Sequence, residues 1–193
     1  MELTEVAPGL KRWVTYYPEW KDDVGCLALD GDDGLILIDP LDPPRELGRP
    51  AHVLLTIHWH ARSTRDAGAA HVWAPARALR ALERRGVEVT HPVRPGDELP
   101  GGIEALESGR SGELVYWLPG QRALVAGDVL LGGPLRICPD SWIGKRGQPA
   151  VREALRPALE LPIVRVLVSH GEPVLSNGRR ALEQALGQAP SAA

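Results

Sequence analysis

The sequence predicts one α/β domain in which two β-sheets pack face to face with helices on the outside. Two observations point there. At 193 residues the chain is long enough for one domain with a substantial core and too short for two, so a single domain over residues 1–193 is expected. Short apolar runs of strand type fill the middle of each half with helical stretches beside them, and no repeat period, linker or low-complexity tract separates the halves.

Leu10–Tyr17, LKRWVTYY, has the aromatic and β-branched content of a strand, closed by Pro18. Val24–Leu29 and Leu35–Ile38 flank DGDDG, whose glycines and aspartates suit a tight reversal, so this pair is a hairpin. The Pro-rich LDPPRELGRP is a surface connection, and His52–Thr56 a short buried strand. Ser63 can cap a short helix through Ala70; His71–Ala74 is a strand; Ala76–Arg85 is helical, with Leu79 and Leu82 inward and Gly86 as its stop. Strands at Val87–Val93 and Ile103–Leu106 surround PGDELPGG, and Glu113–Leu118 with Ala123–Ala126 forms a second hairpin across PGQR. Residues 127–147 are loop-rich. A helix over 149–159, a strand at Ile163–Val168 and a helix over 178–186 complete the fold, with disorder expected only in the closing QAPSAA.

Composition narrows the function classes. A net charge of −3 with no dense Lys/Arg run argues against nucleic acid as the main partner. No apolar run is long enough to span a bilayer, and the first residues lack a signal peptide's basic start and apolar run, so a cytoplasmic location without membrane partners is expected. Cys26 and Cys138 form no C-x-x-C unit and are taken as two reduced thiols.

The stretch VLLTIHWHARSTRDA sets His58 and His60 one residue apart just past an apolar strand. In an extended segment both side chains leave the same face and can converge on one ion, while Trp59 points to the opposite side and packs in the core. Two histidines satisfied by hydrogen bonds at a strand end are the plainer alternative. With HWHARS, AGDVLL and VSHGEP in view, the chain resembles the metallo-β-lactamase superfamily over nearly its whole length. The resemblance implies an αββα sandwich and places the family's I-D at Ile38-Asp39, its first histidine loop at residues 58–63, its G-D at Gly127-Asp128 and its late H-G at His170-Gly171.

It also implies a binuclear zinc site, and here three of seven ligand positions differ. Arg62 stands at the loop aspartate and Ser63 at the following histidine. The middle segment, residues 107–113, lacks its histidine, with Arg110 the best positional match. A guanidinium has only donors and no lone pair for a metal. About 5 Å from a dication, at an effective dielectric near 20, each arginine would repel it by several kcal/mol. His58, His60, Asp128 and His170 remain as N and O donors for one zinc per chain. Alternatively Arg62 or Arg110 pairs with Asp128, replacing the lost metal charge; the charge balance favours this second state, without a metal cofactor. Glu107 can replace the missing histidine or pair with an arginine, Asp66 has a weaker claim, and Trp142 can line the mouth of the site. His71 and His91 are framework or surface residues, and Ser63 has no base that would make it a nucleophile.

Three functions follow. The first is a pseudoenzyme whose cationic pocket, built from Arg62, Arg110, Ser63 and the histidines, holds a small anion. The second is a mononuclear metal-dependent hydrolase of esters, thioesters or lactones in which Asp128 ligates the metal or orients water. The third is a non-catalytic interaction protein, for which the family's frequent homodimers are the precedent.

Overall fold

The computed structural model describes residues 2–187, so the closing QAPSAA lies outside the described residues. In the first half, β1 (Leu3–Ala7), β2 (Leu10–Tyr17), β3 (Asp22–Gly31) and β4 (Gly34–Ile38) run antiparallel through tight turns. Gly34, at φ +111°, gives the β3–β4 reversal a backbone conformation that other residues rarely adopt. Then β5 (His52–Leu54), β6 (His71–Pro75) and β7 (His91–Val93) add in parallel, completing a seven-stranded sheet in sequence order. Parallel neighbours need crossovers. The β5–β6 crossover holds α1 (Thr64–Ala67), and the β6–β7 crossover holds α2 (Leu79–Arg84).

The second half supplies β8 (Glu98–Leu99), β9 (Ile103–Glu107), β10 (Leu114–Leu118) and β11 (Ala123–Ala126), then a small ribbon of β12 (Leu130–Leu131) and β13 (Arg136–Ile137). The helices α3 (Asp140–Ile143) and α4 (Gly147–Leu155) lead to β14 (Arg165–Val168), and α5 (Gly178–Ala185) follows. The second sheet has the order β14-β11-β10-β9-β8, with β14 parallel to β11.

Three apolar clusters define the layers. Between the sheets lie Leu27, Leu29, Ile36, Ile38 and Leu54 from one side and Ile103, Leu114, Tyr116, Leu118 and Val125 from the other. Outside the first sheet, Val53, Leu55 and Val72 pack with Leu82 of α2; outside the second, Val115, Trp117 and Leu124 pack with Val151 and Leu155 of α4 and Leu182 of α5. This is an αββα sandwich. All five residues of β10 are buried because both faces of that strand are covered, which explains its unbroken apolar run.

Some expected elements are cut differently. Only residues 91–93 of the 87–93 run form a strand; Val87 instead closes the end of α2, its N–H donating to the Leu82 carbonyl at 3.1 Å. The loop-rich 127–147 segment contains the β12–β13 ribbon and α3. Ser63 precedes α1 without a side-chain cap, and its hydroxyl accepts the Asp42 N–H at 2.9 Å. Among the described residues, no helix is long and apolar enough to cross a membrane.

A buried hydrogen bond ties the sheets together: the Tyr116 hydroxyl donates to the Leu55 carbonyl at 2.7 Å. Tyr116→Phe keeps the ring packing and removes that donor. Urea unfolding is expected to show a loss of about 1–2 kcal/mol, and an unchanged midpoint would show that the carbonyl is satisfied in another way.

Candidate functional site

Three strands of the two sheets, β5, β11 and β14, end at one place. After β5, Ile57 is still extended and bridges to Glu113 of the second sheet, and residues 58–61 then wind into a 3-10 turn. Successive residues there are about 120° apart, so His58 and His60 cannot share a face as they would in a strand. His60 turns inward and is fully buried, whereas His58 stays half-buried at the flank, edge-on to Trp59 with ring centroids 4.6 Å apart. The expected convergence of both histidines is therefore corrected, and so is the core position of Trp59. Its indole N–H donates to Asp128 Oδ2 at 2.6 Å, inside the site.

Around His60 the polar groups form a line. Asp39, at the end of β4, takes the Thr56 N–H on Oδ1 at 2.8 Å and the Thr56 hydroxyl on Oδ2 at 2.5 Å. His60 Nδ1 lies 2.8 Å from Asp39 Oδ2, and Nε2 lies 3.0 Å from Asp128 Oδ1. His170, after β14, has Nδ1 2.8 Å from Asp22 Oδ2 and Nε2 3.5 Å from Asp128 Oδ1. That Nε2 is buried without a hydrogen-bond partner.

Two residues hold Asp128 in place. Gly127 must lack a side chain, because a Cβ there would collide with Thr56 Oγ1 and stand 2.9 Å from Glu113 Oε1. Glu113 Oε1 accepts the N–H groups of Asp128 and Val129 at 2.8 and 2.9 Å, and its Oε2 accepts Arg110 Nη1 at 3.3 Å.

These contacts set the protonation states. Burial alone would push the His60 imidazolium down, but Asp128 and Asp39 on either side outweigh it and hold the pKa up at about 9. Burial would raise Asp128, yet His60 and His170 keep it below the usual carboxylate range. Burial and the nearby Asp128 charge lift the Glu113 carboxyl to about 7. His58 is pushed down by burial and by Arg85, Arg110 and Arg84.

Neither arginine pairs with Asp128, which corrects the expected salt bridge. Arg110 is bound to Glu113 and lies 4.4 Å over the Trp59 ring. Arg62 lies 5.4 Å from the Tyr17 ring centre and 5.8 Å from that of Trp20, and its three nitrogens are buried without an acceptor. Glu107 is exposed rather than turned inward, and Asp66 is exposed as well. Trp142 lines an apolar cleft over the site with Trp20, Trp59, Arg110 and Asp128. His71 and His91 sit apart, in a ring cluster with His52 and Trp73.

Sequence reasoning missed Glu113 and Asp22 as site residues, and recorded Asp39 only as part of a motif. Glu113 carried a signal, as a carboxylate opening an otherwise apolar strand, LVYWL, that is buried on both faces. Asp22 carried none, because only the fold brings it to His170.

No protein-family model matches the sequence, and no curated protein matches it. Solved structures do. A metallo-β-lactamase from Erythrobacter litoralis with β-mercaptoethanol in its active site superposes with a TM-score of 0.70 at 17% identity, over 96% of this chain and 94% of that one. A metallo-β-lactamase family protein from Thermus thermophilus gives 0.67 at 19% identity, over 95% and 80%. The mono-zinc form of the metallo-β-lactamase FIM-1 from Pseudomonas aeruginosa gives 0.69 at 15% identity, over 96% and 94%. The chain has the metallo-β-lactamase fold.

Two outcomes follow from the geometry. Glu113→Ala strands two buried N–H groups and Arg110, and is expected to cost at least about 3 kcal/mol in urea unfolding; a loss below about 1 kcal/mol would mean that Glu113 carries no strain-bearing contacts. The His60 pKa is higher in the fold than its ordinary 6.5. Its stabilisation is therefore complete below about pH 6.5 and is lost as pH rises through about 9. Chelator-treated protein should weaken over that window, and His60→Gln should flatten the dependence.

Proposed function

We propose that this chain is a hydrolase-like protein that uses one divalent metal ion, held by His60, Asp128 and His170, and acts on a small anionic ester, thioester or lactone. The observation that carries this reading is His170 Nε2, a buried nitrogen without a partner, beside the Asp128 carboxylate. A ring nitrogen of His60, a ring nitrogen of His170 and an Asp128 oxygen all lie within 4.8 Å of one another, and both Nε2 atoms face Asp128 Oδ1, at 3.0 and 3.5 Å.

The surroundings of the donors suit that role. A metal-ligating histidine normally gives its second N–H to a carboxylate, which fixes the tautomer and leaves the other nitrogen's lone pair free. Asp39 stands in that position for His60 and Asp22 for His170. Trp59 occupies Asp128 Oδ2, so Oδ1 is the oxygen turned to both histidines. Two nitrogens and one carboxylate oxygen, with further positions open, make a donor set that zinc accepts. When bound, such an ion supplies a Lewis acid and a water acidified to near neutral pH. A second ion does not fit, because Arg62 and Ser63 occupy the positions of its donors and Arg62 has no lone pair to offer.

A second reading, a metal-free pocket, is supported by His60 itself. Between Asp39 and Asp128 its imidazolium supplies the cation that the sequence assigned to an arginine.

Zinc titration of chelator-treated protein separates the two. The single-ion reading expects saturation at about one ion per chain. Because His60 must lose its proton to ligate, affinity should rise about tenfold per pH unit up to about pH 9. Binding should vanish in His60→Ala and His170→Ala and survive in His58→Ala, and ester turnover should be chelator-sensitive. Absence of uptake at pH 8 would select the metal-free pocket.

A further inference from the structure

Outside the His60–Asp128–His170 group, the feature least at rest is Arg62. Its guanidinium carries five N–H donors, yet the three nitrogens are buried with no acceptor, and the group lies against the faces of Tyr17 and Trp20. Cation–π contact offsets part of the cost of burying a charge but leaves every N–H unanswered. The ion pairs among the described residues give Arg62, Arg65 and Arg85 no carboxylate.

We propose that the cleft lined by Tyr17, Trp59, Arg62, Arg65 and Arg85 is an anion subsite that takes the carboxylate or phosphate group of the substrate. The cleft measures about 360 Å³, room for such a group and a few atoms of its carrier. Arg62 is part of its lining but its three nitrogens are closed to solvent, so an anion reaches them only when that side chain turns toward the cleft, whereas Arg65 and Arg85 line it exposed. Planar guanidinium groups bind the oxygens of carboxylate and phosphate in pairs, and the charge-assisted bonds are stronger than neutral ones. Asp66 also lines the cleft, so its wall carries three arginines against one carboxylate.

The cleft adjoins the proposed metal centre through a shared wall. Trp59 faces the arginine cleft and also lines the apolar cleft over Asp128, to which its N–H is bonded. A substrate lying across this indole places its anionic end among the three arginines and its reacting group at Asp128. The substrate assignment rests on the hydrolase reading; the anion site does not need the metal.

The test is titration with inorganic phosphate, by calorimetry and at low salt, of chelator-treated protein and of zinc-loaded protein. Saturable binding is expected in both. Arg62→Met should weaken it at least about tenfold, Arg65→Ser and Arg85→Ser several-fold each, and added salt should weaken it further. If Arg62→Met does not fold, the double variant Arg65→Ser/Arg85→Ser decides, since both side chains are exposed. Absence of saturable binding, binding indifferent to the rim arginines, or binding abolished by chelator or by His170→Ala would each overturn the proposal. Phosphate binding retained without zinc uptake would overturn the metal reading and leave the subsite standing.

Discussion

Two buried carboxylates, Asp39 and Asp128, hold a single imidazole between them, one on each of its ring nitrogens. Buried polar and charged groups are costly unless they are paired, and the His60 ring is the partner that both carboxylates share. Much of the local architecture serves that placement. Thr56 spends both its N–H and its hydroxyl on Asp39, and Gly127 gives up a side chain so that β11 can approach Thr56. The 3-10 turn exists where a strand would have sent His60 and His58 out together. It rotates one histidine inward and leaves the other among arginines.

Glu113 forms a second layer beneath this line. Its carboxylate grips the backbone of Asp128 and Val129 and is matched on its other oxygen by Arg110. Arg110 therefore belongs to a buried pair, and its charge does not compete for Asp128. A pair of this kind adds little net stability compared with apolar packing, but it is costly to break from one side. Arg62 has no such counterpart, and that contrast separates an arginine paired within the frame from one buried against aromatic faces without an acceptor.

The fold was legible because alternation and turn chemistry are local. The hairpin around DGDDG, the strand expected at Glu113–Leu118 and the helix expected over 178–186 depend on neighbours along the chain. The last two formed within a residue of those bounds, as β10 (Leu114–Leu118) and α5 (Gly178–Ala185), beside the β3–β4 hairpin. Among the site residues, His60, Asp128 and His170 could be named from motif order. Their partners could not, because Asp22 and His170 are 148 residues apart and no local pattern marks the pairing. Spacing misled where it assumed a backbone state: H-x-H converges in a strand and diverges in a 3-10 turn, which reversed the roles of His58 and Trp59. Charge misled in a similar way. The arginines were read as neighbours of Asp128, whereas stacking on Tyr17, Trp20 and Trp59 draws their guanidinium groups to aromatic faces.

The line Asp39–His60–Asp128–His170–Asp22 runs from the end of β4 through the ends of β5, β11 and β14 and returns to the start of β3. It acts as a buckle. Each sheet contributes part of the clasp, so neither half of the chain can loosen by itself without opening it, and Gly25 N–H on Ser169 O at 2.8 Å adds a stitch alongside. The pocket is consequently built on contacts that join the two sheets. A change in the charge of the His60 imidazole therefore alters a contact between the end of one sheet and the end of the other.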